Sequence, residues 1–220
     1  MEKVWFETKD AARVRIAGNY WKGTEAKGVI LLHMMPATKE SWNEFAELLL
    51  KNGFQVLAID LRGHGESTQT EGGAETIDYK NFSDEEHQAS INDVLVAREF
   101  LIEKGISPEN IFVGGASIGA NLVLEYVAEN ADAIAGFSLS PGFDYRGVQA
   151  EDFIERAGQG KRFYLAAADD DNYSAETVRK LETTGDAKKT VKIYETGGHG
   201  TRLFDAHPEL QKELVDFLNR

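Results

Sequence analysis

The chain has 220 residues, 42% of them hydrophobic and 28% charged, which is enough to build one sizeable core and leads us to expect a single domain over residues 1–220. Its formal net charge of -13 repels a phosphate backbone, so nucleic acid and anionic membrane surfaces are excluded as expected partners. The absence of cysteine rules out a disulfide framework, a thiolate nucleophile and Cys-ligated zinc.

Met1-Glu-Lys-Val-Trp-Phe-Glu7 lacks the basic start and continuous apolar run of a signal peptide, and the apolar stretch Gly28 to Ala37 is too short to span a bilayer. The expectation is a soluble, cytoplasmic protein. The first 27 residues alternate apolar and polar, with turn signals at Lys9-Asp10 and Gly18-Asn19, and predict a β-hairpin or meander. From Gly28 on, short apolar runs suited to strands covered on both faces recur at 28–32, 54–59, 111–114, 133–139, 163–168 and 191–194. Segments of helical period lie between and after them, at 41–51, 83–104, 121–129, 174–184 and 208–218. Ser41 and Ser83 are placed as N-caps, Ser83 with Glu86 as a capping box, and Gly53 and Gly105 as C-terminal stops. This alternation predicts an α/β fold with a doubly wound, mostly parallel sheet preceded by an N-terminal hairpin.

Gly115-Ala-Ser-Ile-Gly119 matches G-x-S-x-G, set directly between an apolar run and the helical Asn121-Leu-Val-Leu-Glu-Tyr-Val. A serine on a sharp strand-to-helix turn needs small neighbours, because the turn presses backbone against backbone. The alternative is a glycine-rich turn with an incidental serine, but the strand–turn–helix setting favours Ser117 as a nucleophile. A serine hydroxyl needs a base whose pKa lies near neutrality, which points to histidine.

Among five histidines, His199 lies in Gly197-Gly-His-Gly200 beyond the last apolar run, where a loop can deliver it above the sheet. His87 reads as a surface residue of a polar helical stretch, His207 as a helix-start residue before Pro208, His64 as a residue of a Gly-rich loop and His33 as a strand-end residue, the last two near the site but early in the chain. Asp169, Asp170 and Asp171 end the run 163–168, where an acid can orient the imidazole, and Asp144 follows the preceding strand. Residue type alone does not choose among them, and at least one would simply end the strand and cap the helix.

His33-Met-Met-Pro36, Asp60-Leu-Arg-Gly-His-Gly-Glu-Ser67, Gly115-Ala-Ser-Ile-Gly119, Ala168-Asp-Asp-Asp-Asn-Tyr173 and Gly198-His-Gly200 resemble successive motifs of the α/β-hydrolases. The resemblance runs from about Gly28 to the C-terminus. It implies Asp170 as the triad acid, with Asp144 as runner-up, and a structural role for Asp60 and His64. It implies oxyanion donors at the backbone N–H groups of Ile118 and Met35. Many members carry His-Gly where this chain has His33-Met34, which also admits Met34 as donor. Met34, Phe143 and Tyr145 are expected to line the substrate pocket.

The implied activity is a serine carboxylesterase that cleaves small, short-acyl esters through an acyl-enzyme, with no cofactor and no metal. Thioester and amide substrates use the same chemistry. A receptor or interaction module on the same fold is the alternative of another class, disfavoured because a binding module needs no complete triad. Oligomeric state is not legible from these residues.

Overall fold

The computed structural model describes residues 1–220 and divides into two compact units, Met1–Ile111 and Phe112–Arg220. In the first, β1 (Glu2–Glu7) and β2 (Val14–Trp21) form an antiparallel hairpin. β3 (Gly28–Leu32), α1 (Asn43–Lys51) and β4 (Gln55–Ile59) follow, and a two-residue strand β5 (Gln69–Thr70) pairs with β2. Two helices, α2 (Asp84–Gln88) and α3 (Ile91–Glu103), close the unit. The strand order is β1-β2-β4-β3, with β2–β4 antiparallel and β3–β4 parallel. Every residue of β3 is buried, as its unbroken apolar run requires of a strand covered on both faces.

Gly18 and Asn19 do not turn the chain; they lie within β2. A Cβ on Gly18 would stand 2.9 Å from Leu57 Cδ1, so this glycine serves close packing on β4 rather than a turn. Ser41 falls inside a 3-10 turn, its hydroxyl donating back to the Thr38 carbonyl, and Trp42 occupies the α1 N-cap instead. Ser83 makes the expected capping box with Glu86, but the helical stretch breaks at Ala89-Ser90 into α2 and α3.

The second unit begins its regular structure with β6 (Ile111–Ala116), which leads into α4 (Ile118–Glu129), β7 (Ala135–Leu139) and a small hairpin, β8 (Asp144–Tyr145) with β9 (Val148–Gln149). Then come α5 (Ala150–Arg156), β10 (Arg162–Ala168), α6 (Asn172–Glu182), β11 (Lys188–Tyr194), α7 (Leu203–Ala206) and α8 (Glu209–Leu218). Strands β6, β7, β10 and β11 lie side by side in that order, all parallel. α4 and α8 pack on β7, and α6 on β10 and β11. Parallel pairing sends the C-terminal ends of all four strands to one edge, and the loops that leave those ends carry Ser117, Ser140, Asp169 to Asp171 and His199.

Candidate active site

The turn at Ser117 shows why glycines flank it. Ser117 sits at φ 55° and ψ -121°, a left-handed conformation that is costly for a residue with a side chain and is held by the elements on either side. Its N–H continues the sheet by donating to the Leu139 carbonyl at 2.9 Å, and its own carbonyl accepts from Ala120 and Asn121 to start α4. A Cβ on Gly115 would lie 2.2 Å from the Gly119 carbonyl oxygen, so the motif's first glycine lets strand and helix touch. Ile118 opens α4, where backbone N–H groups have no intrahelical partner. Ser117 itself is 7% exposed.

Three adjacent aspartates at the end of β10 have three different employments. Asp169 pairs with Arg179 at 2.6 Å. Asp170, the acid expected from the sequence, does not meet the histidine: its two oxygens accept the N–H groups of Gly197 and Gly198 at 3.1 and 3.0 Å. These bonds, Gly197's first, hold its carboxyl below the usual carboxylate range. Asp171 is the residue that faces His199, with Oδ2 2.6 Å from Nδ1. The reason is the turn after β10. The Asp171 N–H donates to the Ala168 carbonyl at 2.9 Å, and Asp171 stands at the α6 N-cap without capping the helix through its side chain, leaving the carboxylate for the imidazole. A carboxylate only accepts, so Nδ1 carries the proton and Nε2 is left with its lone pair. Asp144 is spent on its own hairpin, accepting from Gly147 N–H at 2.7 Å.

The histidine loop is built from backbone that only glycine adopts easily, with Gly197, Gly198 and Gly200 at φ 153°, 67° and 63°. Ser140, after β7, was not singled out by the sequence and anchors this loop. Its buried hydroxyl accepts the Gly200 N–H at 2.8 Å, and its backbone takes the strained φ of 52°. The only signal for it is its place in Ser140-Pro141-Gly142 at a strand end.

Tyr145 lies with its ring centroid 6.2 Å from that of His199, edge to face, and Phe143 packs on Tyr173 at 5.7 Å. Both are half-buried. Met34 and Met35 follow β3 in the first unit and are also half-buried.

The remaining histidines have structural settings. His33 Nε2 accepts the Leu61 N–H at 3.0 Å, and His64 stacks on Tyr79 with centroids 3.8 Å apart. Burial pushes both imidazoles down to about 4, so they are neutral. Asp60 is fully buried and receives the Lys39 ammonium at 2.6 Å and the Glu66 N–H at 2.9 Å. Gly65 allows this turn, since a Cβ there would meet Asp60 Oδ2 at 2.2 Å. His87 is buried rather than on the surface, its ring against Phe82 at 5.4 Å, although the other residues of α2 are exposed. His207 stacks on Tyr194 at 3.7 Å. No cluster of three or more His, Asp or Glu side chains is arranged to hold a metal ion. No helix is long and apolar enough to cross a membrane.

Comparison with known proteins agrees with this architecture. The family model of the alpha/beta hydrolase fold matches residues 28–146, more than half of the chain, and the chain belongs to that family. The bifunctional esterase/perhydrolase of Acinetobacter calcoaceticus is 34% identical over 121 residues, 55% of this chain and 37% of that protein. The chain spans less than half the length of the curated relatives it matches. Among solved structures, an esterase of Pyrococcus furiosus superposes with a TM-score of 0.72 at 19% identity, over 100% of this chain and 90% of that one. An esterase of Exiguobacterium antarcticum gives 0.73 at 11%, over 100% of both. At such identities the likeness defines the fold: a mostly parallel sheet with flanking helices and antiparallel N-terminal strands.

Proposed function

We propose that the protein is a serine carboxylesterase in which Ser117 attacks the ester carbonyl, His199 Nε2 takes the serine proton and returns it to the leaving oxygen, and Asp171 holds the imidazole. The observation that carries this reading is the 2.6 Å contact from Asp171 to His199 Nδ1, at the same sheet edge as a serine in a strained strand-to-helix turn. Asp171 fixes the tautomer that a base needs and stabilises the imidazolium that forms. The Ile118 N–H, at the start of α4, supplies an oxyanion donor, and Phe143 and Tyr145 line the pocket.

The 22 residues from Ser140 to Lys161 hold only the β8–β9 hairpin and the two-turn α5, which leaves no room for a helical cap over the serine. The substrates are therefore small esters with short acyl chains. We read residues 1–220 as one catalytic domain acting in the cytoplasm without cofactor, nucleic acid or membrane.

A fluorophosphonate probe tests the assignment, because it marks only an activated serine. Labelling at Ser117 that disappears in Ser117→Ala and collapses in His199→Ala is expected, together with hydrolysis of chromogenic acetate and butyrate esters. An unlabelled wild-type protein with no ester turnover would leave a receptor on the same fold as the better reading.

A further inference from the structure

The first unit holds a cavity of about 410 Å³ that the hydrolase chemistry does not use. Its apolar walls are Ala11, Ala12, Val14, Ile77, Phe82 and Ala89, contributed by the β1–β2 turn, the segment ahead of α2 and the end of α2. A volume of this size falls in the range of small-molecule sites, about 300–1,000 Å³. Apolar walls left open to water are unfavourable, and a ligand that covers them removes that penalty.

Each wall is fixed by polar contacts of its own. In the turn between β1 and β2, the Thr8 N–H donates to the Val14 carbonyl at 2.9 Å, the Val14 N–H to the Thr8 hydroxyl at 2.8 Å, and that hydroxyl to Asp10 Oδ1 at 2.6 Å. The Ile77 N–H donates to the Thr68 carbonyl at 2.9 Å. The capping box of Ser83 and Glu86 starts α2, and at its other end the Ala89 N–H closes on the Glu85 carbonyl at 3.0 Å. A cavity built this way takes a ligand without first having to order its walls.

The polar groups around the cavity select the ligand's charge. Arg62 is the cation of the lining, and its guanidinium is committed: Asp93 Oδ1 accepts Nε and Nη2 at 2.9 and 2.8 Å, and Asp10 Oδ2 accepts Nη1 at 2.8 Å. Glu85 and Glu86 stand exposed at the same cavity, Glu86 with Oε2 accepting the Ser83 N–H. Asp10, Asp93, Glu85 and Glu86 thus outnumber the one guanidinium. Asn92, also in the lining, donates its amide N–H to the Ala89 carbonyl at 2.9 Å, which leaves its Oδ1 to act as an acceptor. Apolar walls therefore meet a rim of acceptors and negative charge.

We propose that this cavity is a second binding site, for a small molecule with an apolar body and a primary ammonium end. The body covers Val14, Ile77, Phe82 and Ala89. The ammonium, with three donors and no acceptor, is held by Glu85, Glu86 and Asn92 Oδ1. A carboxylate end would be repelled by the two glutamates, and an alcohol end would lack the attraction of opposite charge. None of Ser117, Asp171 and His199 lines this cavity, so the site stands or falls independently of the esterase reading.

The test titrates the full chain with hexylamine, hexanol and hexanoate near pH 7, where the amine is protonated, and follows the backbone amide signals by heteronuclear NMR. Hexylamine is expected to shift the signals of Val14, Ile77, Phe82 and Ala89 saturably. It should bind about two- to fivefold more tightly than hexanol, the size of an exposed charge contact, and hexanoate should leave these signals in place. Glu85→Gln combined with Glu86→Gln keeps the capping box, since glutamine serves there too, and should erase the amine's advantage over hexanol. The proposal is overturned by the absence of a saturable shift at these residues in wild type, by hexanoate binding as tightly as hexylamine, or by an advantage that survives both glutamines. Shifts confined to Ser117 and His199 would assign the amine to the proposed active site and overturn it equally, while leaving the esterase reading intact.

Discussion

Asp171 Oδ2 lies 2.6 Å from His199 Nδ1, while its neighbour Asp170 reaches back to the N–H groups of Gly197 and Gly198, so adjacent carboxylates grip the same loop by its ring and by its backbone. Asp171→Asn should lower kcat by about ten-thousandfold, the size of the effect when a triad acid becomes an amide that favours the wrong tautomer. Asp170→Asn keeps one acceptor oxygen for the loop and should cost far less. Steady-state kinetics on a short ester checks the order, and a larger loss at Asp170 would return the acid to that position.

Asn121→Ala removes one buried side chain and strands the Gly142 N–H and the Gly142 and Val148 carbonyls. Orphaned groups of this kind cost about 1–3 kcal/mol each. Water entering the vacated space relieves part of this, so a total of roughly 2–5 kcal/mol is expected, a fall of about 4–20 °C in melting temperature for a chain of this size. KM should rise as the hairpin loosens. An unchanged melting temperature would show that the hairpin does not depend on this amide.

Acid should weaken the protein between pH 6.5 and about 4. His33 and His64 have pKa values lowered to about 4 by burial, from 6.5 in the unfolded chain. Within that window the unfolded chain binds protons that the folded one refuses, so stability increases with pH there and is lost as pH falls below 6.5. The limit is about 3 kcal/mol per histidine at 1.36 kcal/mol per pKa unit. Melting temperature followed from pH 7.5 to 4 should drop less steeply in His64→Gln than in wild type; parallel curves would refute the buried neutral imidazole.

Acyl length should matter little beyond the first carbons. A covered CH₂ adds about 0.8 kcal/mol, and without a cap the outer carbons stay in water, so kcat/KM should peak at roughly two to six acyl carbons. A rise that continues to long-chain esters would reveal a tunnel.

The sequence pointed to Ser117 and His199 as the proposed nucleophile and base because the setting of each follows a local rule. Gly115 must be small for strand and helix to touch at Ser117, and Gly197, Gly198 and Gly200 supply the positive φ values that bring His199 over the sheet. Which aspartate contacts His199 was not legible to the residue. Asp169, Asp170 and Asp171 are the same side chain in a row, and the turn closed by the Asp171 N–H on Ala168 decides which one faces the imidazole. Ser140 and Asn121 escaped for a related reason: their partners, Gly200 and the Gly142–Val148 loop, lie 60 and 21–27 residues away. His87 was misplaced on the surface because it is the single buried residue of an otherwise exposed, polar helix, which leaves no mark in hydrophobic period.

The two-sided pinning of the β8–β9 hairpin bears on the rhythm of turnover. Where a mobile flap covers a site, its opening often limits the release of product, and kcat then responds to viscosity. Here the β8–β9 hairpin and its approach are tied to α4 by three hydrogen bonds and to α6 by two. If the proposed chemistry holds, substrate and product exchange past a stationary edge, kcat is expected to be insensitive to viscosity, and selectivity is written into the rigid outline of the groove rather than into a closing motion.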